Sequence, residues 1–232
     1  MATTRHDTVV RQPPAYRQPA EPPPRVRTGL TNLDALLGDG LRPGQLTVIA
    51  ARTAMGKSTL ALSIARDCAL RQGRPARVVS LEMSNAHLLH RVISAETGVL
   101  TEKVRQRELD ETEQELVRSF AARDREHGRL LFLCGDSDTP TVADIERSCA
   151  AALQQHGRLD LLVVDSLGLM DGPLKVPPVH REAEVASIVA DLHQLADRLK
   201  AAVVVVEQLS HAPLAGATGR RCGAVRMSSN GG

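Results

Sequence analysis

Five short apolar runs punctuate the chain: Leu46–Ala50, Arg77–Leu81, Leu130–Leu133, Leu159–Asp165 and Ala201–Val206. They are unbroken rather than alternating, which predicts strands covered on both faces. Helical periodicity fills the intervals, over Lys57–Gln72, Asn85–Ala95, Glu111–Arg125, Pro140–Gln155 and Arg181–Lys200. In the last of these, Val185, Ile188, Val189, Leu192, Leu195, Ala196 and Leu199 form one stripe suited to lie on a sheet. A short helix over Thr31–Leu37 comes first, with Thr31 as its expected cap, Asp34 three residues on and Gly38 to end it. The turn Arg42-Pro43-Gly44 then leads into the first strand. Strand alternating with helix predicts an α/β fold, a mainly parallel sheet with helices on both faces.

The pattern fails at both ends. Residues 1–28 carry six of the thirteen prolines and five arginines against Asp7 and Glu21, and read as a flexible basic arm, either solvated or a tether. Residues 211–232 hold five glycines, three arginines and no acid, and read as a flexible tail. This leaves 29–210 as the folded domain. At 42% hydrophobic and 24% charged, the 232 residues suit one globular core. No run approaches the roughly 20 apolar residues of a spanning helix, and Met1 to Val10 lacks a signal-peptide core, so a cytoplasmic protein without a membrane partner is expected. A net charge of +2 excludes binding of nucleic acid by bulk charge alone. With Tyr16, Phe120 and Phe132 as its aromatics, the chain has no platform for stacking bases. Cys68, Cys134, Cys149 and Cys222 form no C-x-x-C pair and are expected to be reduced thiols.

The candidate chemistry sits at strand ends. Ala51-Arg52-Thr53-Ala54-Met55-Gly56-Lys57-Ser58-Thr59 follows the first strand and opens a helix, the context that a phosphate-binding loop requires. Backbone N–H groups would face the β-phosphate of ATP, Lys57 would bridge the β- and γ-phosphates, and the Ser58 hydroxyl would ligate Mg²⁺. Ala51 occupies the usual place of the first glycine. Asp165 ends an apolar strand, where such an acid can hold the metal. Glu82, at the end of the second strand, either caps the following helix or polarises an attacking water. Gln208 follows the last strand and can sense a γ-phosphate.

Taken in order, these elements resemble the RecA-like motor domain of DnaB-type replicative helicases. The resemblance rests on Thr28-Gly29-Leu30, Leu33-Asp34, Leu41-Arg42-Pro43-Gly44, the loop ending Met55-Gly56-Lys57-Ser58, Ser80-Leu81-Glu82-Met83-Ser84, Arg91, Asp165 to Met170, Arg181 to Val185 and Gln208-Leu209-Ser210. It implies a RecA-like phosphate-loop NTPase with ATP bound at Ala51 to Thr59 and Mg²⁺ held by Ser58 and Asp165. It further implies Glu82 as the base that activates water, Gln208 as the γ-phosphate sensor, and a homo-hexameric ring around single-stranded DNA. Glu207 stands where the family usually has a small hydroxyl residue, and Ser166 where it usually has an aromatic. The family's amino-terminal helical domain, DNA-gripping loop and arginine finger have no counterpart in the 232 residues. A shortened relative is therefore expected, one that turns ATP over slowly and unwinds little alone. Arg220, Arg221 and Arg226 are its late arginines, and Lys175 and Arg181 its best local candidates for a DNA contact. Two other readings are a nucleotide-binding regulatory or assembly subunit and a RadA-type recombination ATPase. The second is disfavoured by the lack of a zinc-ribbon C-x-x-C.

Overall fold

The computed structural model describes residues 24–126, 130–135, 141–172 and 181–209. Five strands, β1 (Leu46–Ala51), β2 (Ala76–Ser80), β3 (Leu131–Cys134), β4 (Leu161–Asp165) and β5 (Ala202–Gln208), form one sheet in the order β1-β5-β4-β2-β3. All four pairings are parallel. The helices are α1 (Thr31–Leu37), α2 (Lys57–Leu70), α3 (Asn85–Thr97), α4 (Thr101–Gln106), α5 (Glu111–Glu126), α6 (Val142–Ser148), α7 (Ala150–His156) and α8 (Arg181–Leu199).

Strand alternation divides the core in two. Ala202, Val204 and Val206 join Leu161, Val163 and Val78 beneath α2, α3 and α5. Val203 and Val205 join Leu162, Val164 and Val79 beneath α6, α7 and α8. The expected stripe of α8 lies on that second face, with Ile188, Leu192, Leu195 and Ala196 wholly buried. Burying a Val, Leu or Ile side chain contributes roughly 1.5–3 kcal/mol, so the paired faces of β4 and β5 anchor the domain.

Several boundaries differ from the sequence pattern. The helix expected over Pro140–Gln155 is two, α6 and α7, broken at Cys149. There the Ile145 carbonyl accepts from Ser148 Oγ at 2.7 Å and Cys149 Sγ at 3.3 Å, while the Cys149 N–H is shared between Ile145 and Glu146. Side-chain donors compete for the ladder, and the turn tightens. A capping box between Thr141 and Asp144 starts α6. Helix α4 has no counterpart in the hydrophobic pattern because Thr101–Gln106 offers one buried apolar residue, Val104. A 3-10 turn over Leu167–Leu169 likewise has no counterpart in that pattern. Strand β2 stops at Ser80, one residue before its expected end, so Glu82 lies in a bend beyond the strand.

Thr31 does not cap α1. The N-cap is Leu30, without a side-chain bond, and Gly38 ends the helix in a left-handed conformation as expected. Asp34 Oδ1 instead accepts from Thr28 N at 2.7 Å and Thr28 Oγ1 at 2.8 Å. This is one correction to the arm drawn at 1–28: residues 24–28 pack onto the body. Val26 is buried and bridges Leu41, Arg74 donates to the carbonyls of Pro24 and Arg25 and to Asp160, and Gln72 brackets Arg27. Residues 1–23 of the arm, the tail 211–232 and Lys175 lie outside the described residues.

Candidate nucleotide site

The strand order decides where the candidate residues meet. Along the carboxy-terminal edge of β1-β5-β4-β2 come, in sequence, the loop after Ala51, Gln208, Asp165 and the bend bearing Glu82. Register tightens this: Ala51 pairs with Gln208, and Ser80, Asp165 and Val206 lie side by side across three strands. Asp165 shares the parity of Leu161 and Val163, so it faces α2 and the loop.

The loop is built for close backbone approach. Gly56, N-cap of α2, has φ +83°, and a Cβ there would meet nothing within 4 Å. Only conformation therefore demands glycine at this position. Ala54 also takes a positive φ, 61°. Arg52 to Gly56 are exposed, and no side chain caps α2, which leaves its first amides open to an anion. Lys57 Nζ rests on the Arg52 carbonyl at 3.1 Å, spanning the loop. Ser58 and Thr59 continue into the first turn, and Thr59 Oγ1 accepts from Arg91 at 3.4 Å.

Asp165 is 2% exposed, and its Oδ1 has no hydrogen-bond partner. Burial pushes its carboxyl above the usual carboxylate range and neighbouring Glu82 adds to the rise; the Ser58 hydroxyl, Lys57 and Arg91 oppose it. A buried, unpartnered carboxylate oxygen beside a serine hydroxyl is a hard-oxygen pair suited to Mg²⁺, which takes few protein ligands and completes its shell with phosphate and water. Among the described residues, no group of three or more His, Cys, Asp or Glu converges as a metal cage.

Glu82 is exposed, and its Oε1 accepts from Ser166 Oγ at 3.2 Å. Ser84, not Glu82, caps α3 by accepting from His87 N at 3.3 Å. Ser80 Oγ accepts from Met83 N at 3.0 Å and closes the bend. Gln208 ends β5 exposed, and the next residue, Leu209, donates its N–H to the Ala51 carbonyl at 3.1 Å. A cleft of 350 Å³, lined by Leu33, Leu37, Leu41, Met55 and Lys57 among others, opens between α1, β1 and the loop.

Sequence reasoning gave no role to Ser166 or Ser80, which hold the Glu82 bend. Nothing in a lone serine signals such a contact until β2 and β4 are paired. No helix among the described residues is long and apolar enough to cross a membrane.

Residues 25–218 match the DnaB-like helicase C-terminal domain. The chain is 35% identical over 188 residues to the replicative DNA helicase DnaB of Leifsonia xyli subsp. xyli, covering 81% of this chain and 40% of that protein. In fold it is similar to a DnaB-like replicative helicase studied with its interactions with primase, at a TM-score of 0.70 and 22% identity over 81% of this chain and 44% of that one. It is also similar to the ATPase domain of a protein designated G40P, at a TM-score of 0.71 and 22% identity, over 81% and 65%. It thus spans less than half the length of its helicase relative. With the parallel five-stranded sheet and the strand-edge cluster already in place, the match over residues 25–218 shows that this chain belongs to the DnaB-like helicase C-terminal domain family.

Proposed function

We propose that the chain is an ATP-binding and ATP-hydrolysing motor domain of the DNA helicase type, acting in DNA replication. The observation that carries this reading is the unpartnered, buried Oδ1 of Asp165 beside Ser58, at the strand edge shared with the loop that carries Lys57. In this reading Ala51 to Thr59 cradle the phosphates, and Lys57 leaves the Arg52 carbonyl to bridge the β- and γ-oxygens. Ser58 and Asp165 hold Mg²⁺, which when bound neutralises phosphate charge. Glu82, fixed through Ser166, accepts the proton of the attacking water. Gln208, in register with the start of the loop, reads the γ-phosphate. By family kinship the working form is a ring of six copies on single-stranded DNA.

ATP turnover by the purified chain, with and without single-stranded DNA, tests this. Slow magnesium-dependent hydrolysis that rises only weakly with DNA is the expected result. Tight binding with no turnover under either condition refutes the motor and leaves the regulatory or assembly subunit. Failure to bind Mg-ATP refutes both.

A further inference from the structure

Between α2 and α3, at the start of α4, lies a second cavity of 460 Å³ that meets the phosphate loop only at Thr59. Its polar lining consists of Arg66, Arg91 and the hydroxyl residues Thr59, Ser63, Ser94 and Thr101, with no acid among the lining residues. The Arg66 side chain is 18% exposed, and its Nε lies 3.2 Å from Glu96 Oε1. The same oxygen is taken by Arg71 Nη1 at 3.0 Å, and Arg71 Nε also lies 4.0 Å from Asp67 Oδ1. Arg66 Nε thus has only its ion-pair contact with Glu96, without hydrogen-bond geometry, and Nη1 is buried with no acceptor. Arg91 is exposed and holds Thr59 Oγ1 by a long 3.4 Å bond that it can readily exchange for another.

Buried charged donors without acceptors are costly, and an anion in this cavity would supply them. We propose that the cavity binds the terminal phosphate or pyrophosphate group of a small molecule, gripped between Arg66 and Arg91 and sharing only Thr59 with the phosphate loop. Planar guanidinium forks and nearby hydroxyls match the several oxygens of such a group. The volume is that of a small-molecule site.

The test is scanning calorimetry of the Lys57→Ala chain, whose phosphate loop lacks its cation. It is melted without magnesium in pyrophosphate and in chloride of matched ionic strength. The expected result is an upward shift in Tm of roughly 5 °C near hundredfold saturation. Adding Arg66→Gln or Arg91→Gln should abolish the shift. Because Arg91 also bonds Thr59 of the loop, Arg66→Lys, which keeps the charge and loses the planar fork, is the second variant and should weaken the shift even where Arg66→Gln does not fold. Three results would each overturn the proposal: no shift beyond chloride, a shift that survives Arg91→Gln, or tighter binding of a single-stranded oligonucleotide lacking a terminal phosphate than of pyrophosphate.

Discussion

Replacing Asp165 with asparagine should stabilise the ligand-free domain while removing its response to Mg-ATP. The carboxylate is 2% exposed with one oxygen unpartnered. Leaving such a group unsatisfied costs about 1–3 kcal/mol. Asparagine keeps the shape and the acceptor for Ser58 but carries no charge to desolvate. It also gives up attraction to Lys57 and Arg91, and solvent around the exposed loop screens part of the penalty, so the gain falls near about 1–2 kcal/mol. For a domain of this size that is roughly 2–8 °C in Tm. The pH dependence has a fixed sign. Because the folded carboxyl titrates above its unfolded value of 3.8, the native state holds more protons between the two. Wild-type stability from this group therefore falls as pH rises through that window, and the advantage of Asp165→Asn grows over the same interval. Mg-ATP at hundredfold saturation stabilises a binding-competent domain by about 2.7 kcal/mol, and the variant should lose most of this. Calorimetry at pH 5 and pH 7.5, with and without Mg-ATP, reads both effects. A ligand-free variant that melts at or below the wild-type temperature refutes the burial argument. A fully retained Mg-ATP shift refutes the metal assignment.

Lys57→Ala should abolish Mg-ATP binding in titration calorimetry, since it removes the cation that spans the loop. Glu82→Gln should retain binding and slow hydrolysis by about 10²-fold or more, read by phosphate release; unchanged turnover would leave Glu82 only its contact with Ser166. Burial pushes the Cys68 thiol from 9.0 up to about 12 and the Cys149 thiol up to about 11. At pH 8 their thiolate fractions are then roughly 10³- and 10²-fold below those of free thiols, so peptide mapping after brief alkylation should find both unlabelled until denaturant is added. Arg74→Ala should cost about 2–4 kcal/mol, because it severs the tie between Asp160 and the Pro24 and Arg25 carbonyls. Denaturant unfolding checks this, and a loss below about 0.5 kcal/mol would mean that Val26, Gln72 and the Thr28–Asp34 bonds dock the segment without Arg74.

The apolar runs Leu46–Ala50 and Ala201–Val206 were legible as buried strands because a parallel sheet covered on both faces needs no polar alternation. The loop at Met55-Gly56-Lys57-Ser58 was legible because a strand, a tight glycine turn and a helix follow one another in the chain, so its chemistry is local. The stripe of α8 was readable for the same reason. Other features depend on contacts between distant residues. Thr28 and Asp34, matched as a motif, became a hydrogen-bonded clasp only when the segment docked, and the arm lost its last five residues to the body. Cys149 broke a helix that periodicity drew whole, because competition among donors for one carbonyl leaves no trace in hydrophobic spacing. Asp165 and Glu82 could be named from their strands, but strand order and register cannot be read from either strand alone. Placing β4 beside β2, with Ser80 opposite Asp165, brought Ser166 within 3.2 Å of Glu82 and left Asp165 Oδ1 buried without a partner. Sequence dictated the elements because local periodicity encodes burial; tertiary structure decided the site because its residues come from separate strands that only the sheet aligns.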